Sequence, residues 1–151
     1  MRLFSTAFLE GGLIGKRYTC DGADTSPPLS WSGSPSTTQS FAILCEDPDA
    51  PGGTWRHWAA YDIPHGQVAL VEGASGQSGL PFKQANNDFN RKGYGGPCPP
   101  RGDRAHHYRF RLLALSVAKL VVSKNPSCLD VEDAARGHVI AEAILTGIYR
   151  R

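Results

Sequence analysis

The 151-residue sequence has no long apolar run, no strong excess of one charge and no paired-cysteine motif. Without a stretch of about 18 apolar residues, a membrane-spanning helix is not expected. The formal net charge is only +2, with acidic and basic residues interspersed, so composition does not indicate a nucleic-acid-binding surface. The four cysteines, Cys20, Cys45, Cys98 and Cys128, form no C-x-x-C pair, which argues against a structural zinc site.

Other expected absences narrow the location and the chemistry. Residues 1–6 are too short and too polar a segment for a signal peptide, so we expect a cytoplasmic protein with four free thiols. Neither G-x-S-x-G nor H-E-x-x-H occurs, which argues against a serine hydrolase and a zinc protease of the common kinds. We therefore expect no cofactor and no resident metal.

The length and the turn residues predict one all-β domain spanning residues 1–151. The 17 glycines and 11 prolines cluster at turns between short apolar segments, as in an antiparallel sheet protein. The predicted strands cover residues 3–8, 40–46, 55–63, 108–117 and 148–150. This pattern has no alternation of strands and helices, and it predicts a mainly β fold, a two-sheet antiparallel β-sandwich.

One C-terminal helix is predicted, from about Asp130 to Leu145. Asp130 is placed as its N-cap, Asp133 in its first turn, and Gly147 at its end. Residues 72–96, rich in glycine, serine and amide side chains, are predicted to form a long surface excursion.

Two carboxylates, Asp47 and Asp49, directly follow the most apolar predicted strand. Aspartates around a proline commonly cap backbone N–H groups in a turn, and that structural role is the alternative to a functional one. A functional role requires partners, and His57 begins the next predicted strand in phase with Ala59, Tyr61 and Ile63. We expect His57 to lie near the two acids.

A second candidate wall is the segment from Gly93 to Arg101. Its glycines, Gly96 among them, allow close backbone approach, and among its prolines Cys98 keeps a free N–H donor that could face an anion. A merely rigid loop is the alternative. His106 and Tyr108 follow on one face of the next strand, and both side chains can donate to oxygen.

These blocks, in this order, resemble the phosphatidylethanolamine-binding protein family, in its bacterial and archaeal Raf kinase inhibitor-like branch. The resemblance covers nearly the whole chain and is carried by four blocks: Tyr18–Gly22 with Ser26–Trp31, Asp47–Pro51 with His57-Trp58, Gly93–Pro100 with His106 and Tyr108, and Gly137-His138 with Gly147–Arg150.

The resemblance implies a β-sandwich with a small anion pocket at one end. The implied ligands are phosphate, carboxylate anions or a phospholipid head group. Carried over by position, the lining residues are Asp47, Asp49, His57, the backbone from Gly96 to Cys98, His106 and Tyr108. The resemblance also implies a homodimer and a protein partner, a kinase or a protease. Nucleic acid is not an expected partner, because the charge composition gives no support for it.

The sequence departs from the family pattern next to the pocket. His107 stands where an arginine is common, so the register of His106 against His107 needs a structural check. Cys20 and Cys98 lie in matching blocks, and we expect them to be close in space, as either a disulfide or a reduced pair. A disulfide requires Cα atoms within about 7 Å.

Two ionised aspartates facing a phosphate would repel it, so one must hold a proton or orient a protonated histidine. A carboxylate beside His57 is expected to raise the pKa of that imidazole, giving binding that weakens as pH rises. The leading hypothesis is a small-anion or phospho-head-group binding protein that is not an enzyme. The alternatives are a hydrolase using the Asp/His pocket, with or without a divalent metal, and an interaction protein with a vestigial pocket.

Overall fold

The computed structural model describes residues 1–151, with eight strands and one α-helix. The strands are β1 Arg2–Phe4, β2 Leu29–Ser32, β3 Ser40–Asp47, β4 Trp55–Pro64, β5 Ala69–Leu70, β6 Lys83–Gln84, β7 His106–Leu115 and β8 Val139–Tyr149, and the helix is α1 Cys128–Ala135. Two single 3₁₀ turns, Lys16–Tyr18 and Ala74–Gly76, complete the regular structure. No helix is long and apolar enough to cross a membrane.

Two antiparallel sheets form the predicted sandwich, and the fold class is confirmed. The smaller sheet has the order β1-β2-β5, and the larger has the order β6-β4-β3-β7-β8. Side chains of Leu3, Trp31 and Leu70 from the smaller sheet share a core with Phe41 and Phe110 of the larger one. Burial of this core removes apolar area from water and fixes the two sheets against each other.

The second face of the larger sheet is covered by α1, which explains why β3 is apolar on both faces. Ala42 and Leu44 of β3 contact a cluster that includes Cys128, Val131 and Ala135 of the helix. Every residue of β3 is buried. The molecule is therefore layered as small sheet, large sheet and helix.

The predicted phase of β4 is wrong, because the strand is irregular at two places. Its pairing with β3 shifts register between Cys45 and Glu46 and again between Phe41 and Ile43. Ala59 and Tyr61 consequently belong to the helix-side core, whereas Ile63 packs between the sheets. An extra residue in one strand reverses the alternation of every following side chain, so a period of two cannot be extended across it.

The predicted helix from Asp130 to Leu145 is wrong in its second half. The helix ends at Ala135, and Gly137 and His138 lie in the turn that leads into β8. β8 pairs antiparallel with β7 along nearly its full length, and Ala143 and Leu145 face the core between the sheets. Alanine, glutamate and leucine favour a helix intrinsically, but long-range strand pairing overrides that weak preference.

The N-terminus of the helix also differs from the prediction. Ser127 is the N-cap, and its hydroxyl accepts the Asp130 backbone N–H at 3.1 Å. The Asp130 carboxylate in turn accepts the Ser127 N–H at 2.9 Å, completing a reciprocal capping box. Asp130 thus supports the cap from the third helical position, and Gly147 lies inside β8 instead of ending the helix.

The cysteines divide into one bonded pair and two free thiols, in contrast to the four free thiols expected. Cys20 and Cys98 form a disulfide with a Cα–Cα distance of 5.4 Å, which confirms that they are close in space. Cys45 and Cys128 are free and buried.

Candidate functional site

A cavity of about 200 Å³ lies at the edge of the larger sheet where β3 ends and β4 and β7 begin. Antiparallel pairing brings these three strand ends to one edge. The lining residues lie on these strand ends and on the loops next to them: Asp47, Ala50, Pro51, Trp55, His57, Phe89, Cys98, Pro99, Pro100, His106 and Tyr108.

Five of the seven predicted site residues line this cavity, and two do not. Asp47, His57, Cys98, His106 and Tyr108 are brought together, whereas Asp49 and Gly96 lie outside the lining.

The apolar part of the cavity wall was not predicted from the sequence. Trp55 is the first residue of β4 and could have been inferred from its position, but Phe89 comes from the long excursion and carried no such signal.

Asp49 is directed to the surface side of the strand ends. Its Oδ2 accepts the backbone N–H of His107 at 2.9 Å and the His107 Nδ1 at 2.7 Å, while Arg104 lies 3.6 Å from Oδ1. Burial alone would raise the pKa of the Asp49 carboxyl, but the contacts with His107 and Arg104 outweigh it and lower that pKa. Asp49 is therefore an ionised partner of surface cations.

The same contact settles the register of the two adjacent histidines. The side chain of His106 is 1% exposed and belongs to the cavity, and the side chain of His107 is 57% exposed and pairs with Asp49. The histidine at the usual arginine position thus keeps an ion-pair partner when it is protonated.

Gly96 is required by the chain and is not part of the cavity wall. Its N–H donates to Asp24 Oδ1 at 2.8 Å, and a Cβ at this position would collide with the Tyr18 carbonyl oxygen. The close approach that was predicted for a ligand is made to the segment around Thr19 instead.

His106 bridges two carboxylates. Its Nδ1 donates to Asp47 Oδ2 at 2.7 Å and its Nε2 donates to Asp103 Oδ2 at 2.8 Å. Burial works to lower the pKa of this imidazole, but the hydrogen bonds and charges of Asp103 and Asp47 outweigh burial and raise it. Because carboxylates only accept, both ring nitrogens carry protons and His106 is an imidazolium.

His57 is in the opposite state. Its Nδ1 donates to the Gly95 carbonyl oxygen at 2.7 Å, and the Gly95 N–H donates back to the His57 carbonyl at 3.0 Å. Burial lowers the pKa of His57 despite these contacts and the nearby Asp47, so the expectation of a raised pKa was wrong. The neutral ring carries its proton on Nδ1, which leaves Nε2 as an acceptor with no partner in the chain.

Asp47 has both oxygens occupied. Oδ1 accepts the Asp49 N–H at 2.8 Å, and Oδ2 accepts from His106. The structure thus shows the second of the two predicted arrangements, in which an aspartate orients a protonated histidine. The carboxylate contributes position and charge, and it presents no free proton to a ligand.

The hydroxyl of Tyr108 is a fully buried donor in the pocket wall without an acceptor in the chain. The residue is 0% exposed, and its hydroxyl has no hydrogen-bond partner within the chain. Burial, followed by the nearby Asp47 charge, raises the pKa of this phenol, so it keeps its proton. An unpaired buried hydroxyl costs free energy, and such a group in a cavity wall calls for an acceptor from outside the chain.

The part of the pocket wall that contains Cys98 is bonded to the N-terminal segment and contacts the C-terminus. The disulfide joins Cys98 to Cys20, and the Cys20 N–H donates to the Pro97 carbonyl at 3.1 Å. Arg151 Nη1 lies 3.4 Å from Cys98 Sγ and its Nη2 lies 3.1 Å from Asp21. No cluster of three or more histidine, cysteine, aspartate and glutamate side chains has the geometry of a metal centre.

Comparison with known proteins gives full-length matches. The family model described as phosphatidylethanolamine-binding protein matches residues 4–150. A UPF0098 protein of Aquifex aeolicus is 46% identical over 154 residues, which cover 100% of this chain and 89% of the relative. A UPF0098 protein of Methanothermobacter thermautotrophicus is also 46% identical, over 153 residues covering 100% of this chain and 99% of the relative.

Solved structures agree with the sequence matches. The chain resembles Escherichia coli YbcL, described as a new member of the mammalian PEBP family, with a TM-score of 0.94 and 37% identity over 99% of this chain and 98% of that one. It also resembles CT736 of Chlamydia trachomatis, described as a homologue of phosphatidylethanolamine-binding protein, with a TM-score of 0.88 and 36% identity over 99% of this chain and 97% of that one.

Proposed function

The chain belongs to the phosphatidylethanolamine-binding protein family, and on that premise we propose that its cavity binds a small phosphoryl or carboxyl group that carries a single negative charge. The observation that carries the proposal is the Tyr108 hydroxyl, a buried donor in the cavity wall with no acceptor in the chain. An anionic oxygen would supply that acceptor, in a charge-assisted hydrogen bond.

The neutral His57 supports a ligand that is only partly ionised. Its Nε2 accepts a hydrogen bond and is unoccupied in the chain, and Asp47 and His106 are already paired with each other. A phosphate monoanion, or a monoester in its protonated form, both accepts and donates. Such a ligand can accept from Tyr108 and donate to His57, which a fully ionised phosphate cannot do.

The size and lining of the cavity favour a small group with an apolar substituent. About 200 Å³ is below the range of about 300–1,000 Å³ that is typical of pockets for drug-sized ligands. Trp55 and Phe89 pack edge to face, with ring centroids 5.4 Å apart, and both border the cavity. These surfaces suit the ester arm of a phospho-head group.

The test is calorimetric titration of wild type and Tyr108→Phe with inorganic phosphate and with phosphorylethanolamine. A hydrogen bond to a charged group contributes roughly 1.5–3 kcal/mol, so the variant is expected to bind about ten- to a hundredfold more weakly. Folding stability should stay the same or increase, because the hydroxyl that is removed has no partner in the free protein. Tyr61→Phe, which lies in the helix-side core, is the matched control and should bind as wild type does. Equal affinities of Tyr108→Phe and wild type would contradict the proposal.

We propose that the site binds its ligand without converting it. The hydrolase alternative is favoured by one observation, the free Nε2 of neutral His57, which is suited to general-base catalysis. Turnover of phosphate or carboxylate esters that disappears in His57→Asn would establish the enzyme in place of the binding protein.

Three further expectations from the sequence stay predictions: a homodimer, a cytoplasmic location, and a regulatory role through a kinase or a protease partner. The Cys20–Cys98 disulfide argues against the cytoplasmic location, because disulfides are uncommon in a reducing cytosol.

A further inference from the structure

Asp103 contacts the site through His106, although no motif in the sequence marks it. Its Oδ2 accepts from His106 Nε2 at 2.8 Å, and its Oδ1 accepts the N–H of Arg104 at 2.9 Å. The turn that carries it is fixed by the chain, because its N–H donates to the Pro100 carbonyl and the Gly102 N–H donates to the Arg151 carbonyl, each at 3.2 Å. The carboxylate is therefore held in place, although its side chain is 39% exposed.

The contact with Asp103 decides the charge that a ligand meets. Asp47, His106 and Asp103 form a linear group of two carboxylates and one imidazolium, which leaves one uncompensated negative charge. Both protons of His106 are used within this group, so the cation donates nothing to a ligand.

No lining residue other than His106 supplies a positive charge to offset that negative charge. His57 is held neutral with its proton on Nδ1, and Tyr108 is an uncharged phenol. The nearby Arg104 and the side chain of His107 both contact Asp49 on the surface side. A second negative charge on a ligand would thus find no free positive charge in the pocket.

We propose that Asp103 is a specificity residue, which restricts the pocket to singly charged oxyanions and disfavours doubly charged ones. This inference rests on the proposed function, since it concerns which anions the same site accepts. Asp103 acts through His106 and through its own charge, and its contact with the ligand is not required.

The inference is tested with Asp103→Asn. The asparagine oxygen can still accept from His106 Nε2, so the substitution removes a charge and keeps the hydrogen bond. The probes are sulfate, a dianion, and methyl sulfate, a monoanion, whose charges do not change across the working pH. Neither probe can donate to His57, so both lack that hydrogen bond equally and the comparison reports the difference in charge. Calorimetric titration at about pH 5.5 favours protonated His106, whose pKa is raised in wild type and which keeps its hydrogen bond to Asp47 in Asp103→Asn.

Wild type is expected to bind methyl sulfate more tightly than sulfate. In Asp103→Asn the affinity for sulfate should rise on the order of tenfold and that for methyl sulfate only about threefold, since the repulsion removed scales with ligand charge. Asp103→Glu restores the charge and should restore the wild-type preference. Asp133→Asn is the charge-matched control, because Asp133 pairs with Arg136 on α1, away from the pocket, and it should change neither affinity.

Two outcomes overturn the inference, and they are distinguishable. If wild type binds methyl sulfate but Asp103→Asn keeps the same preference, Asp103 does not set specificity and the proposed function stands. If wild type binds neither probe nor inorganic phosphate, the proposed function itself is wrong, and the inference falls with it.

Discussion

The two pocket histidines lie in one cavity but are held in opposite protonation states by their partners. His106 has a carboxylate at each ring nitrogen, whereas His57 has a carbonyl at Nδ1 and apolar ring neighbours, Phe89 and Tyr108. Burial disfavours both imidazolium forms, and only the two carboxylates of His106 are sufficient to overcome it. The site therefore combines an internal ion pair with a neutral acceptor.

We predict that side-chain NMR titration gives the two imidazole rings pKa values on opposite sides of the ordinary histidine value of about 6.5. His106 should titrate above that value and His57 below it. Contributions to stability follow from the same shifts. His106 stabilises the fold below pH 6.5 and loses that contribution as pH rises through its raised pKa, whereas His57 costs stability as pH falls below 6.5, since the unfolded chain then binds the extra proton.

Urea unfolding across pH measures these contributions. His106→Asn should remove the alkaline decline, and His57→Asn should reduce the loss of stability on the acid side. A decline of equal size in His106→Asn and wild type would show that the ion pair with the carboxylates does not stabilise the fold.

The sequence predicted the residues of the regular strand β7 better than those of the loops. His106 and Tyr108 share a face because β7 keeps a strict period of two, and that much can be read from the chain. Asp49 was predicted to line the pocket because the sequence pattern does not determine the direction in which each aspartate side chain points. Asp103 was missed because its role depends on a turn fixed by Pro100 and the C-terminus, which no local pattern encodes.

At the scale of elements, α1 is attached to the large sheet by charge as well as by its apolar face. Glu132 accepts from Arg56 of β4 at 3.1 Å and from Arg111 of β7 at 2.6 Å. All three side chains are less than a quarter exposed, which reduces screening by water and salt. Burial would raise the pKa of the Glu132 carboxyl, but the two arginines outweigh it and lower that pKa.

We predict that Glu132→Gln destabilises the protein at neutral pH by roughly 1–3 kcal/mol, because partly buried Arg56 loses its ionic partner and Arg111 keeps only Glu46 and Glu142. The depressed pKa gives the pH window: the contribution is complete above the unfolded glutamate pKa of about 4.3 and is lost as pH falls through the lower folded value. Chemical unfolding at pH 7 and in acid measures this, with the exposed Asp133→Asn as control. A difference between variant and wild type that persists at acid pH would argue against the ion pairs.

The boundary between α1 and β8 could not be predicted from local sequence patterns. The strands 40–47 and 55–64 could be predicted because their composition favours a sheet and their flanks are turns. β8 could not, since its alanines and glutamate fit a helix and only ten-residue pairing with β7 makes it a strand. The paired residues are separated by 24 positions (Leu115 and Val139) to 43 positions (His106 and Tyr149), so the deciding interaction is absent from any local window.

At the scale of the molecule, one face of the cavity wall depends on residues from both ends of the chain. Cys20 near the N-terminus and the terminal Arg151 both contact Cys98, whose neighbours Pro99 and Pro100 line the cavity. The order of the motif blocks made their convergence predictable. The bond itself was not, because spacing alone left a disulfide and a reduced pair open.

The disulfide has a consequence for the whole fold that can be measured. It joins residues separated by 78 positions, and closing a loop of that length removes entropy from the unfolded chain worth about 4 kcal/mol in the chain-entropy treatment. We predict that the Cys20→Ser/Cys98→Ser protein unfolds at lower denaturant with a loss of roughly 2–5 kcal/mol. It should also bind phosphate more weakly, because Pro99 and Pro100 lose their covalent attachment to the N-terminal segment.

The other two cysteines supply the control for this prediction. Burial raises the pKa of the Cys128 thiol to about 12, and burial also raises the pKa of Cys45, so both stay protonated and unreactive in the folded protein. Thiol titration in denaturant should therefore count two thiols without reductant and four with it. Replacing Cys45 by alanine removes a free thiol and no bond. The Cys45→Ala protein should therefore still lose stability when a reductant opens the Cys20–Cys98 bond. Four thiols without reductant, or equal stability of the double serine variant and wild type, would contradict the covalent closure of the pocket wall.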